Sequence, residues 1–190
     1  GGRARDKAAL PGGSSEHCRM GASGAVRTKW REFREVREGV ARSVPGVSVV
    51  CAIELGSTNS DGQPPDEKTV ASRTVNVVLR QVFGRKTPVS SCITGTVKKG
   101  SALVVKTNAG FLKTDDGKES RCFEIAGTDG NYFPAKAVIR GNEIDLTSDE
   151  VTDPVEMKYA WAVFVEPNVV NEAGLPLFPF RSLKGESSAA

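Results

Sequence analysis

The chain holds 190 residues, 38% hydrophobic and 26% charged, enough to bury a core as one large domain or two small ones. Its 26 basic residues against 23 acidic ones leave a net charge of +3, a balance that gives no electrostatic reason to expect nucleic acid or a membrane surface as partner. No apolar run approaches the roughly 20 residues that a membrane-spanning helix needs.

Residues 1–28 are rich in Gly, Ser, Ala and Arg and show no periodicity. Gly12-Gly13-Ser14-Ser15 and Gly21-Ala22-Ser23-Gly24 read as flexible connection. The chain opens on Gly1-Gly2 with no apolar leader, and reads as a fragment or a processed chain. The single histidine, His17, stands in this polar stretch, where a solvated side chain is the expected role.

Thr28 is a suitable N-cap for a helix over 29–44. Trp30, Phe33, Val36, Val40, Ala41 and Val44 recur every three or four residues and form one apolar face. Arg31, Glu32, Arg34, Glu35 and Glu38 form the opposite, charged face. Pro45-Gly46 stops this helix. Residues 47–53 then run Val-Ser-Val-Val-Cys-Ala-Ile, a β-branched stretch expected as a strand buried on both faces of a parallel sheet. A polar, turn-rich loop occupies 54–65. A second helix is expected over 66–83, with Pro64-Pro65 ahead of it, Asp66 and Glu67 in its first turn and Gly84 at its end. Its apolar positions are Ala71, Val75, Val78, Leu79 and Val82. Helix, buried strand, loop and helix make one layer of an α/β fold. In open parallel sheets, ligands collect at the carboxyl ends of strands, so the 54–65 loop is the first place to look for function.

Beyond residue 86 the pattern changes to short strands between turns. Strands are expected at 102–106, 122–126, 137–140, 143–147 and 155–163. Asp115-Asp116-Gly117-Lys118 and Thr128-Asp129-Gly130-Asn131 read as turns, and Gly141-Asn142 as a two-residue hairpin connection. In the 155–163 run every odd position is large and apolar, so that face should pack inward. The tail from 167 reads as loop, with 175–180 lying over the sheets, since its prolines forbid a central strand. The expected organisation is thus a flexible segment (1–28), an α/β part (29–85) and a small antiparallel, sandwich-like β module with an extended tail (86–190).

The four cysteines, Cys18, Cys51, Cys92 and Cys122, match no zinc-binding spacing, so no metal site is expected. Cys51 and Cys122 fit as small buried hydrophobes. Cys18 and Cys92 are left open as a pair. Trp30 and Trp161 could stack on sugar, but both fall on apolar faces, which favours packing.

Several motifs appear together in order. Tyr159-Ala160-Trp161 is followed by Gly174-Leu175-Pro176 and Pro179-Phe180-Arg181. Phe123-Glu124-Ile125-Ala126-Gly127 precedes Pro134-Ala135 and the Gly141-Asn142 hairpin. Asp66-Glu67-Lys68-Thr69-Val70-Ala71 opens the second helix. In this combination, over about residues 30–181, the chain resembles the C-terminal portion of sialate O-acetylesterase-type carbohydrate esterases. The resemblance implies the final helix, strand and helix of an SGNH-type (flavodoxin-like) parallel-sheet domain, followed by a small antiparallel β module. It implies serine acyl transfer on acetylated sugars, sialoglycans among them, with no cofactor. In that chemistry a serine attacks the acetyl carbonyl, a histidine takes its proton, an aspartate orients the histidine and an oxyanion hole holds the intermediate. Family members are often secreted, periplasmic or lysosomal.

The family's serine and oxyanion-hole residues lie in an earlier part of the sequence that nothing here matches. The family also carries an aspartate and a histidine before a proline in the loop after the last strand. Here that loop reads Asp61-Gly62-Gln63-Pro64. Asp61 matches the aspartate, and Gln63 stands at the histidine position. A glutamine amide has no titratable lone pair near neutral pH and cannot serve as general base. Asn59 and Asp61 also suit a turn for backbone reasons alone. The resemblance therefore implies that this chain by itself is inactive. The alternative is a non-catalytic module that binds carbohydrate or a protein partner.

Overall fold

The computed structural model describes residues 30–55, 66–162 and 165–182. The two expected helices are present. Helix α1 spans Trp30–Ser43 and helix α2 spans Glu67–Phe83. Asp66 caps α2: its carboxylate accepts the Thr69 N–H at 2.9 Å and the Thr69 hydroxyl, satisfying donors that the first turn leaves unpaired. Gly84 ends α2 in the left-handed region, at φ 64, where a residue without Cβ sits without strain.

The stretch at 47–53 departs from expectation. It carries no regular secondary structure up to residue 52 and then closes in a single 3-10 turn, Ile53–Leu55, and it belongs to no sheet among the described residues. Val47 is 37% exposed, and of the seven residues only Cys51 is buried. The reason is the absence of a partner. A β-branched run gains ladder bonds and double-sided burial only beside other strands, and the expected parallel sheet does not form among the described residues. The helices carry the same mark. Val36 and Val40 on α1, and Val75, Val78, Val82 and Phe83 on α2, remain between 37% and 63% exposed.

The remainder is antiparallel. Strands β1 (Ile93–Lys99), β2 (Ala102–Thr107), β6 (Lys136–Arg140) and β7 (Glu143–Thr147) form one sheet in the order β1-β2-β7-β6. Strands β4 (Phe123–Ala126), β5 (Tyr132–Pro134), β8 (Glu156–Tyr159) and β10 (Phe180–Ser182) form another in the order β10-β8-β4-β5. A third pair joins β3 (Leu112–Thr114) to β9 (Val169–Asn171). The expected hairpin is present: Arg140 pairs with Glu143 across Gly141, whose φ is 64.

The two larger sheets share one core. Leu103 and Val105 of β2 face Leu146 and Ile144 of β7 in register. Phe123 and Ile125 of β4 face Tyr159 and Met157 of β8. All eight belong to one buried cluster. The rings of Phe123 and Tyr159 stack with centroids 4.4 Å apart. The Tyr159 side chain is fully buried, and burial pushes its phenol well above the usual range.

Strand β8 ends at Tyr159 rather than at 163. Ala160 adopts a left-handed φ of 50, facing Cys122 at φ 70, and the Ala160 N–H donates to the Cys122 carbonyl at 2.9 Å. This turn takes Trp161 out of the ladder. The tail forms more structure than a loop. It supplies β9 and β10, and between them Leu177 is fully buried, donating its N–H to the Val169 carbonyl at 3.1 Å. Strand β10 follows Pro179 directly and lies at a sheet edge, the placement a proline permits. Buried Asn171 ties the tail to the 89–91 segment: its amide donates to the Val89 carbonyl at 2.8 Å and to the Ser91 hydroxyl at 3.1 Å.

Helix α1 is fixed to the β-rich part mainly by charge. The Arg181 guanidinium grips the Glu35 carboxylate with contacts of 2.8–3.1 Å, and Arg34 donates to the Ala162 carbonyl.

Candidate functional site

The functional geometry gathers where the 47–53 run ends. Three residues meet there. Arg73, two turns into α2, donates to the Cys51 carbonyl at 2.7 Å and pairs with the Glu54 carboxylate. The Arg73 side chain is 11% exposed and that of Glu54 24%, so the pair is largely withdrawn from water. An ion pair in such a place tolerates loss of one partner poorly. Its geometric effect is clear: Glu54 and Asp66, which bracket residues 55–65, are both tethered to α2, one by Arg73 and the other by the cap on Thr69. Asp61 and Gln63 fall within this bracketed segment and lie outside the described residues, as do Asn59, His17 and Cys18.

Sequence reasoning missed Glu54 and Arg73. A signal was available. Glu54 is the first charged residue after an apolar run, and Arg73 stands off the apolar stripe of α2, on the side that faces back toward that run.

A groove of about 360 Å³ lies beside this corner, between α1, the 47–51 run, α2 and the 88–92 segment. Its walls are mostly apolar and include Ala41, Val49, Val50, Val77, Val89 and Phe178. Glu38, Arg42, Arg73 and Arg80 supply its charges. Cys51 and Cys92 also line it, as free thiols. Burial pushes both thiols up, which keeps them protonated and poor nucleophiles. Cys122 is a third free thiol, only partly buried and likewise shifted up by burial.

Glu38 is the titratable group of the groove. Its side chain is 13% exposed and pairs with Arg42 at 3.2 Å. Burial pushes its carboxyl from the ordinary 4.5 up to about 7, against the opposing pull of Arg42. The unfolded chain releases this proton near its ordinary value and the folded chain only near 7. Glu38 therefore favours folding fully below pH 4.5, and that contribution is lost as the pH climbs through 7. Glu38→Gln should flatten the slope. Urea midpoints should show the variant more stable than the parent at about pH 8, with the gap closing toward about pH 5; a variant no more stable at the higher pH would refute the account.

Trp161 is half-buried, and the Arg181 guanidinium sits 4.8 Å above its ring. One face of the indole is thus taken by a cation, which disfavours it as a sugar-stacking platform. Trp30 opens α1.

Among the described residues no histidine occurs; the Ser148 hydroxyl donates to the Glu150 carboxylate at 2.8 Å, but this pair is exposed and lies in the β-rich part. Glu54 and Asp66 flank in sequence the segment that carries Asp61 and Gln63, and Cys51 and Arg73 line the groove.

A carbohydrate acetylesterase from Xanthomonas citri has a similar structure, with a TM-score of 0.76 and 25% sequence identity. The similarity covers 80% of this chain and 36% of that one, so the chain spans about a third of the length of the protein it matches. No protein-family model matches the chain, and no curated protein matches it in sequence. The structural likeness supports a carbohydrate esterase relationship.

Proposed function

We propose that this chain is the C-terminal part of a carbohydrate esterase of the sialate O-acetylesterase type, acting on acetyl esters of sialic acid or of other sugars, and that it is inactive by itself. The observation that carries the reading is the structural likeness to a carbohydrate acetylesterase over most of the chain. The order of motifs from Asp66 to Arg181 supports the finer assignment, and so does the position of Asp61 and Gln63 in the segment between Glu54 and Asp66, which Arg73 and Thr69 hold.

In this reading Asp61 is the orienting aspartate of a serine–histidine–aspartate set. Gln63 occupies the place of the base, and the nucleophilic serine and oxyanion hole belong to the upstream α/β part. An amide at the base position can hold a hydrogen bond but cannot take the serine proton. The β-rich part acts as the rigid support against which α1 and the 47–53 run are held.

The test is a chimera in which residues 30–182 replace the matching part of the Xanthomonas citri esterase. The chimera should fold and bind an O-acetylated sugar while releasing acetate only slowly, and this chain alone should release none. A chimera that folds but has no affinity for O-acetylated sugars would overturn the proposal.

A further inference from the structure

The groove between α1, the 47–51 run, α2 and the 88–92 segment takes no part in the esterase reading. Its volume of about 360 Å³ lies in the range of small-molecule pockets, which are mostly apolar with a few polar groups that fix orientation. Ala41, Val49, Val50, Val77, Val89 and Phe178 of its walls are all half-buried, so each keeps surface in water that an apolar occupant would cover. Helix α2 contributes Arg73, Val77 and Arg80. Spaced by four and then three residues, they share one face of the helix. Arg80 stands about 10 Å beyond Arg73 at 1.5 Å per residue.

The arginines of the groove are not equivalent. Arg73 is committed to the Glu54 carboxylate and the Cys51 carbonyl. Arg42 is matched at 3.2 Å by Glu38, the one carboxylate among the described residues that line the groove. Arg80 donates to the neutral Thr87 carbonyl at 3.1 Å and joins no ion pair among the described residues. An unmatched cation therefore stands at one end of an apolar wall. A guanidinium is suited to a carboxylate, which it can hold with two parallel bonds. We propose that the groove binds a free medium-chain alkyl carboxylate, with its head on Arg80 and its tail along Val77 toward the Cys51 end. The acetyl group of the esterase reading has no tail to fill these walls, so the two readings are tested separately.

Octanoate is titrated into the full, isotope-labelled chain. At sub-millimolar octanoate the amides of Val49, Val50, Val77, Arg80 and Val89 should show saturable shifts, and acetate should produce none. Octyltrimethylammonium, with the same tail and the opposite charge, should bind roughly tenfold or more weakly. Arg80→Gln should lower the affinity for octanoate by a similar factor, and Arg80→Lys, which keeps the charge, should lose less. Absence of saturable shifts, shifts confined to other residues, or equal affinity for the two octyl compounds would overturn the proposal. So would an Arg80→Gln chain that folds and binds octanoate unchanged. If Arg80→Gln does not fold, the comparison of the two octyl compounds on the unaltered chain decides. Octanoate that binds this chain but not the chimera with the Xanthomonas citri esterase would show the groove covered in the larger protein, and would likewise overturn it as a ligand site.

Discussion

Gln63→His, introduced into the chimera that carries an upstream serine, should raise acetate release from an O-acetylated sugar by roughly 10⁴-fold, the scale on which loss of a triad member lowers turnover. The argument is chemical. Serine is a weak nucleophile until a neighbouring base takes its proton as the bond to the acetyl carbon forms. An amide at position 63 offers no such base, and an imidazole does. The gain should fall on kcat, because the histidine acts in the transition state and not in sugar binding. The pH profile supplies a second readout: the restored activity should rise through a single ionisation near the ordinary range of histidine, about 6.5. Asp61→Asn in the same background should then remove most of the gain by disorienting the new imidazole. If Gln63→His leaves acetate release unchanged in a folded chimera that binds the sugar, position 63 is not the base position, and the assignment of Asp61 falls with it.

The second large effect concerns the core. Tyr159→Ala should lower stability by about 4 kcal/mol, in the range for deleting a buried aromatic side chain. Tyr159 is fully buried, stacks on Phe123 at 4.4 Å and sits in a cluster drawn from both larger sheets. Removing the ring leaves a cavity that neither sheet can close without breaking the Phe123 and Ile125 registers. Tyr159→Phe should behave very differently. The hydroxyl approaches the Val169 N–H without a well-aligned bond, so its removal takes away a poorly satisfied polar atom and should cost less than about 1 kcal/mol. Urea denaturation of the two variants separates the cases. Equal losses would show that the hydroxyl, not the ring, holds the position.

The sequence was most informative where local chemistry decides the outcome. Asp66 and Gly84 mark the ends of α2 because a cap and a left-handed residue act within a single turn. Gly141-Asn142 marks the β6–β7 hairpin for the same reason. Burial in β8 follows the alternation of Met157 and Tyr159. What was not legible depends on partners far away in sequence. The 47–53 run has the composition of a buried strand, but composition cannot supply the neighbours that a ladder needs, and the run stays outside any sheet among the described residues. Strand β9 has only three residues, and nothing in Val169-Val170-Asn171 announces that β3, more than fifty positions earlier, completes it. The break after Tyr159 was hidden too, since a left-handed alanine carries no local signal. The expectation for Asp61 and Gln63 rests only on a resemblance. Glu54 and Arg73 form their pair across two elements, and a scan for motifs passes over both.

The tethering of Glu54 and Asp66 to one helix has an evolutionary consequence. The residues on either side of the intervening segment are each held to α2, Glu54 through Arg73 and Asp66 through Thr69. The ends of that segment are held together whatever it contains, and even doubling its length would add only about 0.6 kcal/mol of closure entropy. Such a segment behaves as an exchangeable cassette on a fixed frame. A catalytic histidine could be lost from it, or regained, without selection on stability registering the change. Under the reading proposed above, glutamine at position 63 would be one such exchange, and the Gln63→His chimera is its test.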